Sequence, residues 1–318
     1  MLLGSRRKEG AVSVTHSVFD ASTRVGCISA HGIELSADRQ SALNAYFRQQ
    51  ASYWAAIYRR RGIKEAIHQE RLRAAVAMVD TLRLPPQSRV LDVGCGAGYA
   101  SVALATRELI VHALDPVPAM VEATRDRVLE AGVEPQVSVR LGDVHALPFS
   151  DHSFALVLAL GVLPWLPEIG QPLHEMARVV QPGGHLIVSV DAQWQLRHVL
   201  DPLRNPVLTA PKRWAVDLWR VCRGLPPKIR SHVVSIGGVG RMLAAEGFEV
   251  LHGTALGFGP FTCFDREILP HAMGLKLHHS LQALASRGTP VLRSSGSQYL
   301  VLAKKRGAAV GECSRSSE

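Results

Sequence analysis

The sequence predicts an α/β fold, a parallel sheet with helices on both faces, preceded by helices and carrying a helical cap. Three observations point there. From Arg89 to Val190, short apolar strands alternate with helical patterns in the rhythm of strand–helix–strand units. An apolar strand, Val90-Leu91-Asp92-Val93, runs into Gly94-Cys95-Gly96-Ala97-Gly98 and then into a helix. The chain has 318 residues, 47% hydrophobic and 20% charged, enough to bury a sizeable core and too apolar for a disordered or fibrous protein. Its length exceeds the ~150-residue prior for one domain, as expected of an elaborated core with a cap.

Residues 1–40 mix Ser, Gly, Thr and charges without sustained period and read as a flexible N-terminus. Within 41–86, Tyr46, Trp54, Ile57, Tyr58, Ile67, Leu72, Val76 and Val79 recur at helical spacing until Pro85-Pro86 stops them. The core, 87–192, reads as strand Arg89–Val93, a helix from Tyr99, strand Leu109–Leu114, helix Val117–Ala131 and strand Val137–Leu141. Strand Phe154–Leu160, helix Glu168–Val180 and strand His185–Val190 follow, the last after the turn Pro182-Gly183-Gly184. Residues 193–235 break the alternation and read as a basic helical insertion. From Asp191 to Arg230 there are eight Lys or Arg against three Asp, a net +5 of the whole chain's +9. Residues 236–305 read as a helix near Val239–Glu246, a strand near Phe248–Thr254, a helix near Ile268–Ser286 and a strand Gln298–Ala303, and 306–318 as a flexible tail.

Composition also narrows the setting. The longest apolar run, Phe154 to Leu166, is interrupted by Gly161 and Pro164 and falls short of the ~18 residues that span a bilayer. The N-terminus has Arg6, Arg7 and Lys8 but no apolar stretch of a secretory signal, so a cytoplasmic protein is expected. The five cysteines, Cys27, Cys95, Cys222, Cys263 and Cys313, form no CxxC pair and read as reduced thiols. No His, Cys, Asp or Glu cluster has ligand spacing, so no metal is expected. The positive charge favours anionic neighbours: phosphate, acidic lipid or nucleic acid.

The glycine loop carries the chemistry. A dinucleotide loop wants G-x-G-x-x-G, but the sixth position from Gly94 is Tyr99, and Asp92 stands just before the loop. A carboxylate there is awkward beside a pyrophosphate and favourable beside a cationic amino acid and sulfonium. Asp115 closes the next strand, where an acid can take both ribose hydroxyls; it also reads as a cap for the helix from Val117. Asp143, after the third strand, places an acceptor for an adenine amino group or is a solvated turn residue.

At these residues the chain resembles the class I S-adenosylmethionine-dependent methyltransferases, over roughly Tyr46 to Lys304. The resemblance lies in Asp92–Gly98, Asp115, Asp143, Leu147-Pro148-Phe149, Phe154–Leu160 and Val180-Gln181-Pro182-Gly183-Gly184. It is strongest to the small-molecule branch with ubiquinone/menaquinone-biosynthesis methyltransferases. Tyr46-Phe47, Trp54 and Ile57-Tyr58 also resemble magnesium-protoporphyrin O-methyltransferases. The resemblance implies a Rossmann-like seven-stranded sheet with the last strand antiparallel, lid helices in 41–86, and S-adenosylmethionine over the carboxyl ends of the first, second and fourth strands. It assigns Asp92, Gly94, Gly96 and Gly98 to the methionine part, Asp115 to the ribose, and Asp143 and Val144 to the adenine, with Cys95 and Pro116 also cofactor-binding; Met120 would pack on the adenine or simply in the core. Leu160 would line the methyl-donor side. The strand end Leu158-Ala159-Leu160-Gly161-Val162-Leu163-Pro164-Trp165 lacks the His pair or polar residues frequent in quinone-type relatives. It also lacks the Asn/Asp-Pro-Pro-aromatic motif of amino-directed DNA methylases, so no DNA partner is expected.

Methyl transfer is an in-line displacement that positioning alone can accelerate, so a dedicated base is optional. His145 is the candidate general base if the acceptor is a hydroxyl. Tyr46, Trp54 and Tyr58 can close over cofactor or acceptor, or simply pack as helix residues, and Trp165 can line the pocket. The reading is methyl transfer to an O, N or C atom of a small or lipid-linked metabolite, with a peripheral contact between the basic insertion and anionic membrane. RNA methylation through the basic face, and cofactor binding without catalysis, are the alternatives. Oligomeric state is not legible.

Overall fold

The computed structural model describes residues 17–18, 30–223 and 231–307. In chain order it runs β1 (Ser17–Val18), α1 (Ala30–Gln49), α2 (Ala51–Ala56), α3 (Ile63–Leu82), β2 (Arg89–Val93), α4 (Tyr99–Ala105) and β3 (Ile110–Asp115). Then come α5 (Pro118–Ala131), β4 (Val137–Leu141), β5 (Phe154–Ala159), α6 (Gly170–Val179), β6 (Val180–Ala192), α7 (Leu196–Leu200) and α8 (Pro206–Cys222). The chain ends with β7 (His232–Val234), α9 (Ile236–Ala245), β8 (Phe248–Leu256), β9 (Thr262–Cys263), β10 (Arg266–Glu267), α10 (His271–Ser286) and β11 (Gln298–Lys305).

The central sheet is α/β and mostly parallel. Strands β4, β3, β2, β5 and β6 pair in parallel, and β11 then runs antiparallel to both β6 and β8. The last strand is therefore the antiparallel one, as expected. Side chains alternate across the sheet. Leu156 and Leu158 of β5 and Leu300 and Leu302 of β11 enter the core layer with Met78 and Leu104. Val157, Ala159, Val301 and Ala303 enter the opposite layer with Met176 and Leu243. This period of two, apolar on both faces, makes each strand read as a continuous hydrophobic run.

Four elements differ from the sequence reading. Helix α1 begins at Ala30, inside the segment expected to be flexible, because the helix formers Glu34, Leu35, Ala37 and Arg39 outweigh a single Gly32. Strand β1 lies in the same segment and pairs in parallel with β7, while residues 1–16, 19–29 and 308–318 of the two expected flexible ends lie outside the described residues. Strand β6 begins at Val180 because the turn Pro182-Gly183-Gly184 is absorbed as a bulge. Phe154 pairs with Val180, yet Leu156 pairs with His185. The basic insertion ends in a strand, β7, which extends the sheet by pairing with Asp191 and Ala192 of β6. Three residues are too few for a period to show.

Strand β2 has β3 on one side and β5 on the other, so the strand order reverses there. A crevice opens beyond the carboxyl ends of strands at such a point. Among the described residues, no helix is long and apolar enough to cross a membrane.

Candidate active site

Beyond β2 the loop is tied to the neighbouring strand, Gly94 and Cys95 both donating to the carbonyl of Leu114 at 2.7 and 3.1 Å. Two glycines are required for different reasons. Gly98 has φ +77°, and a Cβ there would lie 2.9 Å from Thr124 Cγ2 and 3.0 Å from its Cα, so the close approach of α4 to α5 needs its absence. Gly96 has φ +55°, with nothing within 4 Å of where its Cβ would stand; that space is the crevice.

Two carboxylates close the loop. Asp115, at the end of β3, accepts from the Gly96 N–H at 3.0 Å and the Val117 N–H at 2.9 Å, which fixes the loop and caps the start of α5 together. Burial pushes its carboxyl up to about 6. Asp92 is 2% exposed and accepts from Ser101 Oγ at 2.6 Å. Burial, with a smaller push from Asp115, raises it to about 7. A buried carboxylate beside a cavity is a ready partner for a cation.

The crevice is a cavity of about 430 Å³, within the ~300–1,000 Å³ usual for small-molecule sites. Asp92, Gly94, Cys95, Gly96, Asp115, Pro116, Met120 and Leu160 line it, together with Tyr46, Trp54, Tyr58 and Trp165. Its roof is aromatic. Tyr46 stacks on Trp165 with ring centroids 6.1 Å apart, and Phe47 meets Trp165 edge-on at 5.4 Å. Tyr58 packs against Tyr99 at 4.1 Å, and the Tyr99 hydroxyl donates to the carbonyl of Ala55, so α2 is fastened to the glycine loop's own helix.

Four residues read from the sequence are not among those lining the cavity: Gly98, Asp143, Val144 and His145. Val144 is buried in the core. Asp143 accepts from the His145 backbone N–H at 3.0 Å and faces its Nδ1 at 2.6 Å, on an exposed turn. Each perturbs the other: Asp143 is lowered by the His145 hydrogen bond, and His145 is raised by Asp143. The structure does not bring His145 to the cavity, because a turn aspartate bonds its own chain two residues on.

The imidazole that does line the cavity is His68 of α3, which burial, aided by Arg71, pushes down to about 3. Arg71 lines it too, 7% exposed, with Nη1 3.5 Å from Gln298 Oε1 and Nε without a hydrogen-bond partner. A Cβ at Gly161 would stand 2.6 Å from Arg71 Nη1, so that glycine makes room for the guanidinium. Sequence reasoning missed Arg71, though a signal existed. Ile67, Arg71, Ala75 and Val79 lie four apart and are all buried, so a cation interrupts an otherwise apolar stripe.

Residues 91–188 match the methyltransferase domain family. Methyltransferase GfsG of Streptomyces halstedii is 36% identical over 121 residues, 38% of this chain and 42% of that protein. The 27-O-demethylrifamycin SV methyltransferase of Amycolatopsis mediterranei (strain S699) is 34% identical over 109 residues, 34% of this chain and 40% of that protein. The chain thus spans about two fifths of the length of these curated relatives. The crystal structure of magnesium protoporphyrin IX methyltransferase from Synechocystis PCC 6803 with bound SAH is similar in fold. Its TM-score is 0.56 at 18% identity, covering 84% of this chain and 99% of that one. With the glycine loop, the two strand-end carboxylates and the reversal of strand order in place, residues 91–188 match the methyltransferase domain family within a fold similar to that of a solved methyltransferase.

Proposed function

We propose that this chain transfers a methyl group from S-adenosylmethionine to an O, N or C atom of a small or lipid-linked metabolite held in the 430 Å³ cavity. The observation that carries the reading is that the glycine loop, Asp92, Asp115 and the aromatic roof all face one cavity. Bound there, S-adenosylmethionine supplies an activated methyl on a sulfonium. Asp92 would hold the amino group of the methionine part by charge, and Arg71, beside Gly161, its carboxylate. Asp115 has acceptor capacity beyond its two backbone bonds, enough for ribose hydroxyls, with Pro116, Val117 and Met120 flanking the base. Leu160 and Trp165 stand at the strand end where the methyl would be presented, and Tyr46, Phe47 and Trp54 exclude water. Acceleration then comes chiefly from holding the acceptor in line at ~3 Å.

A lipid-linked acceptor is favoured by helix α8. Every described side chain from Ala210 to Arg223 is exposed, including Trp214 at 70% and Trp219 at 51%. Val207, Trp214 and Leu218 recur at i, i+7 and i+11, one apolar stripe on a helix whose sequence also carries Lys212, Arg213 and Arg220. That is the composition of a helix lying in an anionic membrane surface. Arg197, on the preceding α7, lines the cavity, which supports a cap that meets the acceptor.

The test supplies methyl-labelled S-adenosylmethionine with either a bacterial lipid extract in phosphatidylglycerol vesicles or an aqueous metabolite extract. The reading expects label in an organic-soluble product, with the chain sedimenting on the vesicles. Absence of labelled product from both extracts with S-adenosylhomocysteine still bound would leave a cofactor-binding protein without transfer.

A further inference from the structure

The sequence shows no ligand spacing, yet the fold brings Glu70 of α3 against His278 and His279 of α10, none of which lines the cavity. Glu70 Oε2 lies 2.9 Å from His278 Nε2, and Glu70 Oε1 lies 3.0 Å from His279 Nδ1. Glu70 is 8% exposed and His278 is wholly buried. Glu70 Oε2 and His278 Nε2 face one another outside hydrogen-bond alignment, and both atoms are buried with no other partner. Such atoms are costly unless something satisfies them.

On its far side, His278 Nδ1 lies 2.8 Å from the carbonyl oxygen of Phe258 and 3.2 Å from the Phe258 N–H, so the backbone of one residue fixes the ring. With Nδ1–H donating to that carbonyl, a neutral ring presents the Nε2 lone pair to the Glu70 side, where a metal ion can lie against both Nε2 and Oε2. A carbonyl that fixes the other nitrogen of an imidazole is also the usual outer support of a metal-ligating histidine. The only other cation close to Glu70 among the described residues is Arg73, 3.9 Å from Oε1 and largely exposed.

We propose that Glu70, His278 and His279 bind a divalent transition-metal ion of the zinc class, with water completing the coordination on the exposed His279 side. One carboxylate and two imidazoles suit zinc, cobalt or nickel and are a poor set for magnesium or calcium. The ion joins α3 to α10. Residue 71, the next after the ligand on α3, is the arginine that reaches the cavity, so the clamp positions that helix and takes no part in the chemistry.

The test uses the full chain without a polyhistidine tag, stripped with chelator and titrated with zinc chloride and separately with cobalt chloride. Metal content after dialysis, the cobalt absorption spectrum and the melting temperature are read. The proposal expects about one zinc per chain, a visible band of four-coordinate cobalt, and a rise in melting temperature. Zinc affinity should fall about tenfold or more in Glu70→Gln and in His279→Gln, the latter at a half-exposed site that leaves the fold intact. Zinc content at the level of the Glu70→Gln chain, or binding that His279→Gln leaves unchanged, would show a hydrogen-bonded Glu–His cluster and overturn the proposal.

Discussion

Asp92 and Arg71 both line the cavity, and their legibility differs. Asp92 stands in a contiguous motif, so neighbours in sequence announce it. Arg71 becomes a cavity residue only because α3 lies over the strand ends, a tertiary fact no local pattern contains. His145 fails for the converse reason: its sequence position after the third strand is right, but its ring turns back to Asp143. The raised carboxyl of Asp92 gives a signed prediction. In the proposed binding mode its ionised form holds the ligand's ammonium, so affinity for S-adenosylhomocysteine should rise from pH 6 to 8, through the value of about 7 in the ligand-free protein, and level off above. Asp92→Asn should bind about 10-fold to 100-fold more weakly at pH 8, the worth of a charged hydrogen bond at roughly 1.5–3 kcal/mol, and should flatten that pH dependence. A variant with the wild-type pH profile would assign the titration elsewhere.

At the scale of elements, the glycine loop separates stability from binding. Gly98→Ala adds a methyl against the Thr124 backbone at a positive φ. It should cost about 1–3 kcal/mol in urea unfolding with little change in ligand affinity once folded. Gly96→Ala meets no protein atom, so it should cost only the roughly 1–2 kcal/mol of left-handed backbone while weakening S-adenosylhomocysteine binding, since its methyl enters the cavity. Equal effects of the two on affinity would mean that the space beside Gly96 is not where the ligand lies. The strands and helices from β2 to β5 were legible because long apolar periods flanked by glycine or proline leave few alternatives. What was hidden lacked such a period. Strand β7 is three residues long, and β6 absorbs a Pro-Gly-Gly that reads as a boundary.

Over the whole molecule, the net charge of +9 is unevenly spent, and the basic insertion carries both the charge and the exposed tryptophans. Sedimentation on phosphatidylglycerol vesicles should therefore weaken as salt rises toward 1 M, where the screening length is about 3 Å. The fold class and the cofactor loop could be read from the chain, whereas the rest of the cavity wall could not. It draws on α1, α3, α7 and β11, which are far apart in sequence. The central claim is that the glycine loop and the two carboxylates form one cofactor site. Titration calorimetry of S-adenosylhomocysteine into the full chain, and into Gly96→Val and Asp115→Ala, tests it most directly. The account predicts one site per chain in the wild type and an affinity lowered about tenfold or more in each variant. Unchanged affinity in both folded variants would contradict it.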